Sequence, residues 1–321
     1  MPSLPTSALI RHENPLGLPK NTSRPAPQLP RKGGPPARRP IANVKKVVAV
    51  ASGKGGVGKS TVAVNLAFAL ALQKNPHTNA RLRVGILDLD IFGPSIPTLM
   101  GLTRMGEPDL TPGGALVPMT NHGLPCMSMG FLIPSTTDEG NTDTPVVWRG
   151  LMVQKAVQQL LFDVDWSVNG APLDVLVIDM PPGTGDVPLT LGQLVVVDGS
   201  VIVSTPQDVA LSDVRKGIAM LKKVSVPISG LVLNQSYYLC NDCETPKPQY
   251  LFGKPDSFRA VAERLQTPIL GELPLVQGVS ASADGGYPYV LAGKDQGKGA
   301  SEWKDTMLGV AEKVAGSIGL R

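Results

Sequence analysis

The chain has 321 residues, 42% of them apolar, 17% charged and only 4% aromatic, with 35 Gly and 31 Pro. That length supplies a full core in one large domain or two ordinary ones, and a mean hydropathy near zero excludes a generally disordered chain. No window of about 18 residues is free of charges or strong polar breaks, which excludes a membrane-spanning helix, and three Cys, at 126, 240 and 243, are too few for a secreted disulfide framework and point to a reducing compartment.

The net charge of +4 hides an asymmetry. Residues 1–87 hold 14 Lys/Arg and one acid, Glu13, whereas the remaining residues hold 16 Lys/Arg and 25 Asp/Glu. The acid-poor start, with ten prolines in residues 1–40, cannot bury enough surface to offset its ordering entropy and reads as a disordered basic leader. Arg11, Arg24, Arg31, Arg38 and Arg39 suit a mitochondrial presequence followed by a linker. Pro2, Pro5, Pro15 and Pro19 oppose the amphipathic helix such a signal forms, so an ordinary flexible tail and a cytoplasmic location stand as the alternative. The acidic body argues against nucleic acid as a partner.

From residue 41 to 321 the pattern is one α/β domain. Val47–Val50 is an apolar run suited to a strand buried on both faces, and Val62–Leu72 reads as a buried helix. Further strands are expected at Leu82–Leu87, Val175–Ile178, Ser200–Ser204, Ile228–Leu233 and Ile269–Leu270, with helices near 149–162, 208–223 and 256–266. Alternating units of this kind predict a doubly wound, mainly parallel sheet with right-handed crossovers. Residues 114–134 read as a short β-meander beside that sheet.

Between the first strand and the first helix lies Gly53-Lys54-Gly55-Gly56-Val57-Gly58-Lys59-Ser60-Thr61, a G-x-x-x-x-G-K-[ST] loop in its required context. Its glycines let backbone N–H groups curl around phosphate, Lys59 can reach the β- and γ-phosphates, and the Ser60 hydroxyl can join a Mg²⁺ shell. Two carboxylate segments follow later strands: Asp88-Leu89-Asp90 with Gly93-Pro94-Ser95, and Asp179-Met180-Pro181-Pro182-Gly183 running to Asp186. An Asp ending a buried strand is costly without a cation, so Asp179 is expected to hold Mg²⁺ through water, with Asp88 near the metal and Asp90 orienting the attacking water. Gly and Pro after each Asp suit a segment that switches between two conformations.

Near the end of the sheet, Cys240-Asn241-Asp242-Cys243 lies in a polar loop spanning 236–256. A pair at this spacing can clip one metal centre but supplies half of a four-thiolate shell. A redox dithiol, a half-site zinc clip and half of an iron–sulfur cluster all fit. The absence of a following helix disfavours the redox dithiol. A two-fold dimer would supply the four thiolates of a bridging, labile [4Fe–4S] cluster. Cys126, in an apolar run, reads as a core residue.

The second lysine, Lys54, makes the phosphate loop resemble the deviant Walker A motif of the MinD, Mrp and nitrogenase-iron-protein class. That resemblance implies an ATP-dependent homodimer in which Lys54 reaches the partner's nucleotide, as an arginine finger does. The order K-G-G-V-G-K-S-T, D-x-D-x-x-G-P-S, M-S-M-G-F-L (127–132), V-V-W-R-G (146–150), D-M-P-P-G-T-G-D, S-T-P-Q-D (204–208) and C-x-x-C resembles Mrp-type iron–sulfur carrier ATPases over about residues 41–290. The leader with Gly17-Leu18-Pro19-Lys20, and W-R-G-L-M-V (148–153), resemble the mitochondrial branch that serves assembly of respiratory complex I. The resemblance implies a slow ATPase, a cluster handed to recipient apoproteins, and adenine recognition by Asn234. Two departures stand out: Asn234-Gln235-Ser236 replaces the family's N-M-S, and Asn241 replaces the proline after the first cysteine. A MinD/ParA-like positioning ATPase and a cytosolic or bacterial-type general iron–sulfur carrier are the competing expectations; the first needs the stripe Trp303, Met307, Val310, Val314 and Ile318 as a membrane-surface helix, and core packing is the plainer reading of that stripe.

Overall fold

A computed structural model describes residues 37–320 except 77, 104, 133–149 and 294–296. The leader to residue 36, with Gly17–Lys20, and most of V-V-W-R-G lie outside the described residues. Strands β1 (Val44–Ser52), β2 (Val84–Asp88), β3 (Met119–Asn121), β4 (Leu124–Ser128), β5 (Leu173–Asp179), β6 (Gly199–Ser204), β7 (Gly230–Leu233) and β8 (Ile269–Glu272) form one sheet in the order β3-β4-β2-β5-β1-β6-β7-β8. Every pairing is parallel except β3 with β4. The central strands are buried at nearly every position, because helices cover both faces and leave no polar side to alternate with.

The 114–134 segment departs from expectation. β4 is a full member of the sheet, parallel to β2, and β3 folds back on it as the antiparallel edge. Leu124 to Ser128 is wholly buried, Cys126 included, so the strand belongs to the core and cannot lie beside it.

Helices α1 (Lys59–Ala71), α2 (Ile96–Leu99), α3 (Gly150–Phe162), α4 (Asp186–Leu194), α5 (Asp208–Lys223), α6 (Asp256–Arg264), α7 (Gln277–Asp284) and α8 (Ala300–Ser317) complete the element order. α1 is apolar around most of its circumference and is buried accordingly. Its one interior polar side chain, Asn65, is satisfied twice: Nδ2 donates to the Thr61 carbonyl at 2.8 Å, and Oδ1 accepts from Val290 N at 2.8 Å. The stripe on α8 packs inward, with Trp303, Met307, Val310, Val314 and Ile318 all at or below 4% exposure. A face so buried is a core face, not a membrane-surface one.

Parallel register brings the C-terminal ends of the middle strands level. Asp88 pairs with Asp179 across β2 and β5, Val50 pairs with Asp179 across β1 and β5, and Ser128 pairs with Asp88 across β4 and β2. The loops that leave these ends build the site.

Candidate functional site: a phosphate loop and a cysteine strap

The phosphate loop turns on Gly56 (φ 78°) and Gly58 (φ 80°), left-handed conformations that a side chain resists. Gly58 is the N-cap of α1, where no side chain caps the helix and no acid occupies its first turn. The first N–H groups of a thirteen-residue helix are therefore left to an anion, whose charge the helix dipole favours. A Cβ on Gly58 would also overlap Asn234 Nδ2.

Lys59 is buried, and its Nζ donates to Asp179 Oδ1 at 2.6 Å, lies 3.1 Å from Ser60 Oγ and 4.0 Å from Asp90 Oδ2. Burial raises the Asp179 carboxyl above the usual carboxylate range, and Lys59 opposes that rise. Asp179 Oδ2 is buried without a hydrogen-bond partner. A hard divalent cation fits this donor set: an unpartnered carboxylate oxygen next to a serine hydroxyl at the mouth of a phosphate loop.

Asp90 is displaced upward chiefly by burial, with Lys59 opposing. It lines a cavity of about 270 Å³ with Lys54, Lys59, Ser60, Ser95 and Pro182. Asp88 sits differently from its neighbours. Its Oδ1 accepts from Asp90 N at 2.9 Å, and its Oδ2 accepts from Ile96 N at 3.2 Å and Ser128 Oγ at 3.0 Å. Burial and then the Asp179 charge push Asp88 up to about 7. Both its oxygens are thus engaged by protein donors that hold the segment from Asp90 to α2, and Asp88 stands level with Asp179 on the neighbouring strand.

Lys54 donates to Gln207 Oε1 at 3.0 Å, a partner 153 residues away that no local pattern reveals. Asn234 is buried, and its Nδ2 donates to the Val57 carbonyl at 2.9 Å, bracing the phosphate loop from behind. Its side chain also lines a second cavity of about 290 Å³, which shares Gly58, Thr61 and Leu99 with the first and is walled by Gln235, Pro274–Val276, Asp284 and Trp303. The residues from β8 onward were not anticipated as site residues.

The same wall carries the cysteine loop. Ser236 N donates to the Leu273 carbonyl at 2.9 Å, Leu275 N donates to the Tyr237 carbonyl at 2.6 Å, and Tyr238 exchanges backbone hydrogen bonds with Gln249. Tyr237 OH donates to Glu302 Oε2 at 2.9 Å, and burial with that carboxylate pushes the phenol up to about 12. Cys240 and Cys243 are free thiols, half-buried and exposed respectively. A hydrogen bond from Cys243 holds Cys240 below the ordinary thiol range, and the same bond with the Cys240 charge pushes Cys243 up. Among the described residues, no three His, Cys, Asp or Glu side chains gather into a metal-holding group. Within them, the cysteine loop therefore presents two thiol side chains and no more.

The fold and loops agree with known proteins. A nucleotide-binding protein of Archaeoglobus fulgidus in complex with ADP superposes with a TM-score of 0.60 at 33% identity, over 77% of this chain and 88% of that one. MinD cell division protein of Aquifex aeolicus shares the fold at a TM-score of 0.54 and 18% identity, over 85% and 98%. By sequence, the mouse iron-sulfur cluster transfer protein NUBPL is 48% identical over 83% of this chain and 77% of its own. The Arabidopsis thaliana iron-sulfur protein required for NADH dehydrogenase, mitochondrial, is 43% identical over 81% and 76%. The Escherichia coli K12 iron-sulfur cluster carrier protein is 42% identical over 87% and 68%. The family model for the NUBPL iron-transfer P-loop NTPase, of the ParA group, matches residues 43–315. With that match across most of its length and the phosphate loop and carboxylates in their places, the chain belongs to the NUBPL iron-transfer P-loop NTPase family.

Proposed function

We propose that the protein is an ATP-dependent carrier that holds a labile [4Fe–4S] cluster between two copies of the chain and passes it to apoproteins of the respiratory NADH dehydrogenase in the mitochondrial matrix. The observation that carries this reading is the shared wall. Pro274–Val276 and Trp303 line the cavity beside the phosphate loop, while Leu273, Leu275 and Glu302 bond the loop that bears Cys240 and Cys243. One segment thus touches both the cavity and the loop that bears the cysteines, which supports coupling of nucleotide to cargo.

The chemistry assigned to the first side is slow ATP hydrolysis. The N–H groups of Gly55 to Thr61 and the Lys59 ammonium bind the β- and γ-phosphates, and the phosphate competes with Asp179 for Lys59. Ser60 and Asp179 would hold Mg²⁺, which when bound would supply charge neutralisation on the phosphate oxygens. Asp90 accepts the hydrogen bond that aims water at the γ-phosphorus. The bond to the β,γ-bridging oxygen breaks, ADP retains that oxygen, and the proton leaves with inorganic phosphate. Asp88 positions Asp90 and α2 instead of touching the metal. Lys54, parked on Gln207, is released to reach the partner's phosphates when two chains close. The base occupies the Asn234 cavity.

The cargo side needs two chains, since one cysteine loop offers two thiolates and the cluster takes four. The test is transfer: cluster-loaded protein is mixed anaerobically with an apoprotein bearing a four-cysteine site, with and without ATP, and the circular dichroism of the recipient is followed. Transfer that responds to ATP in the wild type and loses that response in Lys54→Ala is the expected result. Loaded protein that never yields its cluster, whatever the nucleotide, contradicts the carrier role.

A further inference from the structure

The turn that precedes α8 presses on the cysteine loop. Lys298 N donates to Asn241 Oδ1 at 2.8 Å, and Lys298 Nζ donates to the Cys243 carbonyl. On one side of the lysine, Gly297 (φ 89°) lies so near the Asn241 amide that a Cβ would stand 2.9 Å from Oδ1 and 3.1 Å from Nδ2. On the other, Gly299 (φ 85°) is the N-cap of the eighteen-residue α8. Both glycines adopt left-handed backbone that side chains resist, so the turn is shaped for close approach to Asn241.

Helix energetics do not explain a cation here. A lysine one residue before an N-cap faces the positive end of the helix dipole, where an anion is favoured and a cation is not. What repays it lies across the gap: the Cys243 backbone carbonyl and the thiol of the same residue, whose ionised form the ammonium favours. Asn241 supplies the side-chain acceptor for Lys298 N–H, and the Cys243 carbonyl accepts from the ammonium, so two residues of the cysteine loop hold the turn.

Resting on the carrier reading, we propose that Lys298, clamped to the cysteine loop through Asn241, is the positioning and countercharge residue for the cluster cargo. A [4Fe–4S] core with four thiolates carries a net charge of about −2. Two chains related by a two-fold axis bring two lysines to it, so the ammonium groups balance the cargo's excess charge. The ammonium is bonded to the Cys243 carbonyl, where it fixes the loop and attracts the cluster without being a ligand.

The test uses the full chain, loaded anaerobically, in wild type, Lys298→Gln, Lys298→Arg and Asn241→Ala forms. Loss of the cluster absorbance to a fixed chelator concentration is timed at low and high salt. Lys298→Gln is expected to lose its cluster about tenfold faster, and added salt is expected to speed loss from the wild type but not from Lys298→Gln. Lys298→Arg keeps the slow rate, and Asn241→Ala falls between. Equal rates and equal salt response in wild type and Lys298→Gln overturn the proposal, as does an Arg variant as fast as Gln. Should the wild type take up no iron, the carrier reading fails and the clamp is read on the free thiols. There, the ratio of alkylation by anionic iodoacetate to that by neutral iodoacetamide must drop in Lys298→Gln. An unchanged ratio rejects the countercharge by itself.

Discussion

With its ammonium 2.6 Å from Asp179 and 4.0 Å from Asp90, Lys59 sets the charge on two of the carboxylates at the mouth of the sheet. Removing one member of a buried pair leaves the other uncompensated, at about 3–5 kcal/mol. Lys59→Met should therefore lower the unfolding free energy by about that much as well as abolishing nucleotide binding, and Lys59→Met/Asp179→Asn should recover most of the stability but none of the binding. Urea unfolding with a nucleotide titration separates the two effects; additive losses in the double variant would contradict the pairing. Asp88 gives a second residue-scale expectation. The unfolded chain releases its proton near the ordinary value of 3.8, while the folded chain keeps it to about 7. Between those values the folded state binds more protons, so this group makes stability fall as pH rises through the window and then level off. Asp88→Asn should flatten the fall between about pH 4 and pH 7. An identical fall in that variant would place the dependence elsewhere.

Elements divide sharply in how well the sequence foretells them. Strands β1, β2, β5 and β6 announce themselves as continuous apolar runs because both faces are covered, and α5 does so by its amphipathic period. α7 does not, since none of its eight residues is buried and no apolar period exists to be read. α2 is four residues long with Pro97 in its first turn, too short for any period. The same limit governs the site. The phosphate loop is local and fully legible, whereas Gln207 beneath Lys54, Ser128 beneath Asp88 and the wall at Pro274–Val276 are partners made by topology. That wall yields a prediction of its own. Because Leu275 N holds the Tyr237 carbonyl while Leu275 lines the neighbouring cavity, ADP should change the alkylation rate of Cys240 and Cys243 by about fivefold. Buried Cys126 serves as the internal control, and mass spectrometry of alkylated peptides gives both rates. Rates unaffected by ADP would sever the link between cavity and cysteines.

At the scale of the molecule, the parallel sheet gathers the phosphate loop and the carboxylates at the strand ends of β1, β2 and β5, and the cysteine loop follows β7 from the same end of the sheet. Neither half of the apparatus is complete in one chain: Lys54 is spent on Gln207, and the described residues offer two free thiols on the cysteine loop. On the proposed carrier reading a second copy would meet both shortages, so dimerisation and cargo should rise and fall together. The most direct measurement is anaerobic reconstitution with iron and sulfide, counting iron, sulfide and mass in solution for the wild type and for Cys240→Ala/Cys243→Ala. The account predicts about four irons and four sulfides per dimer, lost with the dimer's colour in the double variant. A colourless monomer, or one zinc per chain, would contradict it.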